Sequence, residues 1–546
     1  MNNFKPMLFT SMKTYSKEQF IKDVIAGIIV AIIALPLSIA LAMASGVSPE
    51  RGIYTAIVAG FLISAFGGST VQIAGPTAAF ATIVAGIVAT SGTSGLVVAT
   101  IMAGIILVIM GIFKFGNLIK FIPTTIITGF TAGIAVTILI GQFKDFFGIT
   151  YINGVAPVET MEKLAAFFSN FNTINWMAVL VGVVCLAIQI LWPLASKKIP
   201  SSLIAVIVGI LMVKCLHLHV NTIGDLYTIS NKLPSFCMPK ISFSLIQHQL
   251  PNAFVIAVLA AIESLLSCVV ADGMVNSKHR SNTELIAQGI GNLGSALFGG
   301  IPATGAIART AANIKNGGRT PISGIVHAIS LTLVLLVLMT YAAWIPMPTI
   351  AAILFIVAYN MCQWRSFVNL CKKAPKSDIF VLILTFALTV LFDLVVAIEI
   401  GMIVACLMFI KRMSDETNVN GWRYKEEDDV ENPDELIDVP KHVRVYEVSG
   451  PLFFGASETL TSIEVKDYTK NLIIRMRSVP AMDITSMISL EDIYNRCKKN
   501  GIQLVLSHVN EQPYKVMKKA GFIEKLGEEN LLPNIDAALE WVVKDR

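Results

Sequence analysis

The sequence predicts a polytopic α-helical membrane protein of about fourteen spans, built as two inverted seven-span halves and followed by a soluble α/β tail. Three observations predict it. Of 546 residues, 54% are hydrophobic and only 14% charged, with mean hydropathy +0.69, whereas a soluble globular chain carries about 25% charge. The apolar residues fall in two series of runs, one starting near Lys22 and one near Asn252. Each series contains, at a matching place, one short stretch interrupted by Gly and Pro.

In chain order the first series reads 22–45, 51–66, 76–90, 94–113, 123–142, 175–193 and 200–216. The second reads 252–271, 283–298, 302–314, 321–342, 346–361, 378–391 and 393–410. An odd number of spans per half inverts the second half relative to the first. Lys and Arg concentrate in short loops on one side, among them Lys114, Lys120, Lys197, Lys198, Lys278 and Arg280. The opposite loops hold fewer: Arg51, Lys144, Lys163, Lys214, Lys232 and Lys240. The positive-inside rule then expects both termini in the cytoplasm. No secretory signal is expected, because Met1–Phe20 is polar and the run after Lys22 is too long for a signal core.

Most Asp and Glu fall after Lys411, so the net charge of +5 hides a basic membrane part (1–412) and an acidic remainder. That argues against nucleic acid as a partner of the tail. The segment 413–440 reads as an acidic linker and 441–546 as a soluble domain. There Val443–Val448 alternates like a strand, Leu472–Ile474 and Leu504–Leu506 are buried-strand cores, and helical patterns cover Ser486–Lys499, Gln512–Ala520 and Asn534–Val543. The eight cysteines are scattered without metal-ligand spacing and read as small hydrophobes. No cofactor, ATP site or catalytic metal cluster is expected, so any transport would draw on an ion gradient rather than on enzymatic hydrolysis.

The two short stretches carry the chemistry. Gly299-Gly-Ile-Pro-Ala-Thr-Gly-Ala-Ile-Ala-Arg309 leaves room for about a dozen helical residues before the polar Asn313. At 1.5 Å per residue these span roughly 18–20 Å, short of a hydrocarbon core of about 30 Å. Such a half-helix survives at membrane depth where its free end lines a cavity. Its first N–H groups carry positive partial charge into that cavity, which suits an anion. Val71-Gln-Ile-Ala-Gly-Pro-Thr-Ala-Ala-Phe80 repeats the pattern upstream. Paired interrupted helices of this kind point to a transporter's binding site. Thr77, Ala78, Ala303, Thr304, Gly305 and Ala306 are the small residues expected at the two mouths, and a bulky residue at Thr304 or Gly305 is expected to block the anion while leaving the fold intact.

Arg309, inside the second half-helix, either adds positive potential at the anion or pairs with carbonyls or Glu263 to hold helices together; a cation at that depth costs about 2.5–3.5 kcal/mol unpaired. Glu263 lies mid-helix with Ser267 one turn on. In its neutral form it can carry a proton across; alternatively Glu263, Ser267 and Thr304 supply oxygens to sodium. His327, alone in an apolar run, reads as a satisfied core residue. Gly289-Ile-Gly-Asn-Leu-Gly294 fits a nucleotide-binding pattern but follows no strand, and reads as close helix packing.

The chain resembles the SulP (sulfate permease) family of anion transporters over nearly its full length. The resemblance rests on Leu35-Pro-Leu-Ser-Ile-Ala-Leu-Ala42, Ala74-Gly-Pro-Thr-Ala-Ala-Phe80, Ala261-Ile-Glu-Ser-Leu-Leu266, Gly299-Gly-Ile-Pro-Ala-Thr304 and the tail beginning Gly450-Pro-Leu-Phe-Phe454. It implies a mobile core domain and a gate domain, an anion held between the half-helix ends, often a homodimer, and a C-terminal STAS domain open to a cytoplasmic protein partner. It implies, too, that Pro36 and Ser38 break the first helix at the substrate cavity, that Phe80 walls the pocket, and that Arg309 matches a basic position beside it. Sulfate is the family default, with bicarbonate and C4-dicarboxylates as competitors and proton or sodium as coupling ion. A passive anion channel and a membrane sensor are the rival classes. In the tail, Asp483-Ile-Thr-Ser486 aligns with a loop phosphorylated in soluble relatives, making Thr485 or Ser486 the candidate acceptor and a helix N-cap at Asp483 the alternative.

Overall fold

The computed structural model describes residues 4–117, 123–151, 157, 159–195, 199–239, 242–392, 394–421, 440, 442–456, 459–460, 463 and 468–544. Lys120, Lys197, Lys198, Lys240, Asp393 and residues 422–439 of the expected linker lie outside that set. The chain divides into two units, Met1–Ile403 and Val404–Arg546.

The first unit carries the membrane helices. The first half comprises α1 (Lys17–Ala44), α2 (Pro49–Phe66), a two-residue strand β1 (Ala74–Gly75), α3 (Ala81–Ile112), α4 (Thr124–Gly141), a connecting helix α5 (Thr160–Ser169), α6 (Trp176–Ala195) and α7 (Ser201–Cys215). The second half repeats the order with α8 (Phe243–Val275), α9 (Ser281–Leu297), β2 (Thr304–Gly305), α10 (Ile307–Lys315), α11 (Ile322–Ala342) and α12 (Met347–Cys362). A connecting helix α13 (Trp364–Lys373), then α14 (Lys376–Leu391) and α15 (Leu394–Asp415) complete it. α3 is two spans in one: Gly92, at φ 64°, ψ −169°, breaks it into a short first arm and a longer second arm, and glycine tolerates that conformation without a Cβ penalty.

Among the described residues, seven helices are individually long and apolar enough to cross a membrane. The rest escape a hydropathy criterion for physical reasons. α10 is a half-span of nine residues, and α9 carries a polar buried stripe of Glu284, Gln288, Asn292 and Ser295. Packing separates the helices into two bundles: α1, α2, α3, α8, α9, α10 and α11 in one, and α4, α6, α7, α12 and α14 in the other.

Glycines set the closest approaches in the first bundle. A Cβ on Gly289 would lie 2.5 Å from the Gly104 carbonyl oxygen, and one on Gly104 would lie 2.8 Å from the Gly289 carbonyl oxygen. Gly291 and Gly294 meet Ile63 and Leu62 of α2 in the same way. The glycine pattern in α9 is therefore helix packing, as expected. Pro36 does not break α1, which runs unbroken from Lys17 to Ala44. A missing N–H inside a membrane helix is tolerated where neighbouring elements accommodate the freed carbonyl.

In the second unit, β3 (Asn418–Gly421) pairs antiparallel with β4 (Val443–Ser449), which continues in parallel through β5 (Asn471–Ser478), β6 (Gln503–Ser507) and β7 (Leu531–Leu532). Helices α16 (Ile484–Lys499), α17 (Glu511–Lys519) and α18 (Ile535–Lys544) accompany this sheet. Leu472, Ile474, Leu504 and Leu506 form one core with Met487, Leu490 and Ile493 of α16. Val443, Val445, Ile473 and Val505 form the other with Ala538 and Val542 of α18. The expected linker is thus helix to Asp415 and edge strand at 418–421.

Candidate functional site

The two interrupted stretches meet. β1 and β2 pair antiparallel, Ala74 opposite Gly305 and Gly75 opposite Thr304. The Ala306 N–H donates to the Ile73 carbonyl at 2.9 Å, and the Ile73 N–H donates to Thr310 Oγ1 at 3.1 Å. Beyond this crossing the first arm of α3 and α10 leave with their N-terminal ends at the strand pair.

This pairing changes which groups form the mouths. Ala303, Thr304 and Gly305 are extended rather than helical, and their backbone is occupied. Asn292 of α9 accepts the Ala303 N–H at 2.9 Å and donates to its carbonyl at 2.8 Å. Thr55 of α2 accepts the Ile301 N–H at 2.7 Å. Thr304 Oγ1 donates to the Ala260 carbonyl of α8 at 2.8 Å. The open first-turn amides belong instead to Ile307, Ala308 and Arg309 on α10, and to Ala78 and Ala79 after Thr77. Ala306 is half-buried, Ala308 exposed and Ile307 41% exposed, so the α10 mouth faces open space. Ile307 and Ala308 were missed because the sequence shows where the chain is interrupted, not where helical hydrogen bonding resumes.

Glu263 is half-buried on α8 and accepts a hydrogen bond from Thr77 Oγ1 at 2.9 Å. Ser267 is buried and donates to Thr310 Oγ1 at 3.3 Å. The three oxygens considered for sodium, from Glu263, Ser267 and Thr304, therefore each engage a different partner. Phe80 is 1% exposed and packs within the core. Pro36 and Ser38 are buried on the unbroken α1, where Ser38's carbonyl would lie 2.0 Å from a Cβ on Gly52 of α2 and its Oγ has no hydrogen-bond partner among the described residues.

Arg309 is 2% exposed, and its Nη2 donates to the Pro76 carbonyl at 2.6 Å. It thereby ties α10 to the residue before Thr77. The pairing with a backbone carbonyl binds one mouth to the other and leaves the guanidinium charge beside Pro76, so this geometry is compatible with both sequence readings.

A second buried carboxylate was not singled out from the sequence. Glu284 on α9 accepts four hydrogen bonds, from Gly68 N (2.8 Å), Ser69 N (3.2 Å), Gln72 Nε2 (3.0 Å) and Gln288 Nε2 (2.9 Å). Four donors at a fully buried carboxyl suit a structural role. Its Gln72 lies against Gly305. Asp23 at the start of α1 plays a similar part, accepting from Tyr15, Gln19, Thr320 and the Arg319 N–H.

A cavity of about 370 Å³ opens along the first arm of α3. Thr82 and Thr90 on α3 and His248 and Asn252 on α8 line one wall; Thr137 on α4 and Thr389 on α14 line the other, with Lys163 of α5 at its rim. The two walls belong to different bundles.

In the tail, Asp483 caps α16, accepting from Ser486 N and Phe454 N at 2.8 Å each. Thr485 is exposed and Ser486 fully buried, so of the two candidate acceptors only Thr485 is accessible to another protein.

Comparison with known proteins agrees with this architecture. The sulfate permease family pattern matches residues 20–385 and the STAS domain pattern residues 436–538. The putative sulfate transporter YvdB of Bacillus subtilis is 40% identical, covering 96% of this chain and 98% of its own length. The bicarbonate transporter BicA of Picosynechococcus sp. is 30% identical, over 95% and 94%. Murine Slc26a9, an anion transporter solved in an inward-facing state, shares the fold with a TM-score of 0.89 at 18% identity, over 99% of this chain and 94% of its own. The transmembrane domain of a cyanobacterial BicA aligns with a TM-score of 0.64 at 30% identity, over 70% of this chain and 98% of its own. A buried crossing of two interrupted stretches, a helical membrane unit and an α/β tail thus come together in a multi-pass membrane protein that belongs to the sulfate permease family and ends in a STAS domain.

Proposed function

We propose that the protein is a secondary active transporter of a small anion, moving it by alternating access with a proton carried on Glu263. The observation that carries this reading is the Thr77–Glu263 hydrogen bond at the crossing of β1 and β2. It joins a titratable carboxylate to one of two opposed mouths of helix-terminal N–H groups. Such groups recognise an anion by partial charge and hydrogen bonding rather than by a fixed cation. Movement of the α1–α3/α8–α11 bundle against the other would open the site alternately, and the cavity between Thr82 and Thr137 is the access route on the side of Lys163. By the distribution of Lys and Arg, that side is external and both termini are cytoplasmic, in the cell's plasma membrane.

Sulfate is the favoured anion, supported by the relative named as a sulfate transporter. Bicarbonate is the second reading, favoured by the BicA relatives matched over nearly the whole chain. The test is uptake of labelled sulfate, bicarbonate and succinate into proteoliposomes, with proton and sodium gradients varied separately. Absence of counterflow for all three overturns the reading. Flux without uphill accumulation makes the protein a channel.

The rim residue makes a smaller prediction. Lys163 is partly buried, which lowers its pKa, so its charge is lost at lower pH than that of an exposed lysine. Lys163→Gln should raise the half-saturating external anion concentration about threefold to tenfold, the scale of one charge in a focusing cleft. Lys163→Arg should hold wild-type affinity and retain it further into alkaline pH than lysine does. Initial uptake rates measured against anion concentration, salt and pH check both; equal values for Lys163, Gln and Arg under every condition would remove Lys163 from the route.

A further inference from the structure

We infer that His327 is a positioning residue for the anion site, acting through Arg309, an inference that rests on the site assigned above. The starting point is a pair of buried groups with unmet hydrogen bonds. Arg309 uses Nη2 on the Pro76 carbonyl, while its Nε and Nη1 have no hydrogen-bond partner among the described residues. His327 on α11 is 0% exposed, and neither ring nitrogen has a partner among them. The sequence reading of His327 as a satisfied core histidine therefore fails. Nearly all buried polar groups in folded proteins are satisfied by protein or by an ordered water, so two unmet groups side by side call for a common explanation.

Both lie along the seam between β1 and α2. A Cβ on Gly75 would lie 2.3 Å from Arg309 Nη1 and 3.6 Å from Ala56 Cα. A Cβ on Gly60, one turn along α2 from Ala56, would lie 3.3 Å from the Ala74 carbonyl and 3.8 Å from His327 Nδ1. The guanidinium thus lies against Gly75 of β1, and the imidazole against Gly60 of α2, whose Cβ position also meets the carbonyl of the neighbouring β1 residue. The approach of Arg309 depends on glycine at 75, whereas a Cβ on Gly60 would meet His327 only at ordinary contact distance. Ser64, a further turn along α2, continues the seam: its Oγ lacks a partner and would lie 2.1 Å from a Cβ on Gly324, one turn from His327.

The chemistry of the two groups is complementary. A guanidinium only donates, whereas a neutral imidazole has one acceptor nitrogen and one donor. Arg309 Nη1 can donate to His327 through a bridging water. With Nη1 so held, Nη2 is aimed at Pro76, the residue preceding Thr77, and Thr77 holds Glu263. Two discrete supports on one planar fork fix its orientation in a way a single bond to Pro76 does not. The role of His327 is to set where the Arg309 charge and the Pro76–Thr77 mouth sit relative to the anion.

The experiment is counterflow exchange by the full-length protein in proteoliposomes, with whichever of sulfate, bicarbonate and succinate the wild type exchanges. His327→Leu should raise the half-saturating concentration about tenfold and leave the maximal rate within about twofold. His327→Asn, which keeps polar atoms on a shorter stem, should recover most of that affinity. Against an Arg309→Lys background, which keeps the charge but removes the fork, His327→Leu should add little further change. An unchanged half-saturation in His327→Leu, or equal increments in the two backgrounds, overturns the inference. If the Leu variant does not fold, the same cycle run with His327→Asn and His327→Gln decides by the same comparison: a shift present beside arginine and absent beside lysine supports it, and equal effects or no effect in either background overturn it. A wild type that exchanges none of the three anions removes the underlying transport reading instead, a distinct outcome.

Discussion

Glu263→Gln is expected to bind and exchange anion with near wild-type affinity and to lose accumulation driven by an acidic exterior. The amide keeps an oxygen that can accept from Thr77 Oγ1, the contact made by the carboxylate at 2.9 Å, so the mouth should keep its shape. What it loses is the ability to release a proton. Bringing one negative charge in against an inside-negative potential costs about 2.3 kcal/mol per 100 mV. A proton moved with it cancels one such charge, which at 100 mV is worth about fiftyfold in the accumulation ratio. Protonation also removes the repulsion between Glu263 and an anion arriving at the Ile307–Arg309 amides. The measurement is uptake driven by a pH gradient beside counterflow exchange in the same liposomes. Normal proton-driven accumulation by the Gln variant takes the coupling role away from Glu263. Accumulation that follows sodium and ignores pH reassigns the carboxylate to a cation site with Ser267 and Thr304.

Much of the fold was legible because a bilayer leaves few choices. Long apolar runs must be helices when no water satisfies the backbone, and two short interrupted runs at matching places are conspicuous in such a pattern. The tail strands were equally plain: Val443–Val448 alternates, and Leu472–Ile474 and Leu504–Leu506 are apolar throughout because both sheet faces are covered. What the sequence could not show is how residues some 230 positions apart pair. Thr304 and Gly305 read as the start of a helix, since Pro302 is a good helix-starting signal. They are strand because Ala74 and Gly75 offer them a partner, and tertiary pairing overrides the local preference. The break at Pro36 was an expectation of the family resemblance, and α1 runs through that residue instead. Glu284 was passed over because an acid near a helix start is ordinary; only the fold brings Gln72 and the Gly68 and Ser69 amides to it. Arg309 and His327 were both noticed and treated separately, since nothing in the order of residues shows that α10 and α11 bring them to the same seam between β1 and α2.

The other large effect is expected at Gly305. A Cβ there would lie 1.9 Å from Gln72 Nε2 and 2.5 Å from its Cδ. A glutamine elsewhere would swing aside at small cost, but this one is held at both ends. Its Nε2 donates to Glu284 Oε1 at 3.0 Å, and its Oε1 accepts from Cys268 Sγ at 2.6 Å. Displacing it removes one of four donors from a buried carboxylate and leaves polar atoms unmet, at about 1–3 kcal/mol for each group, besides the overpacking itself. Gly305→Ala should therefore lower stability by on the order of 2–4 kcal/mol, and Gly305→Leu should yield no folded protein. Thermal unfolding in detergent, followed by loss of the monodisperse species, reads the effect, with Gly141→Ala as the control because nothing lies within 4 Å of its Cβ position. The expectation from sequence was the reverse, that a bulky Gly305 would leave the fold intact and block only the anion. The two differ in an observable way: a folded Gly305→Leu protein that fails to exchange would mean this residue faces the anion. A protein that does not fold means that glycine stands there so that Gln72, and through it Glu284, can reach the crossing of the two strands.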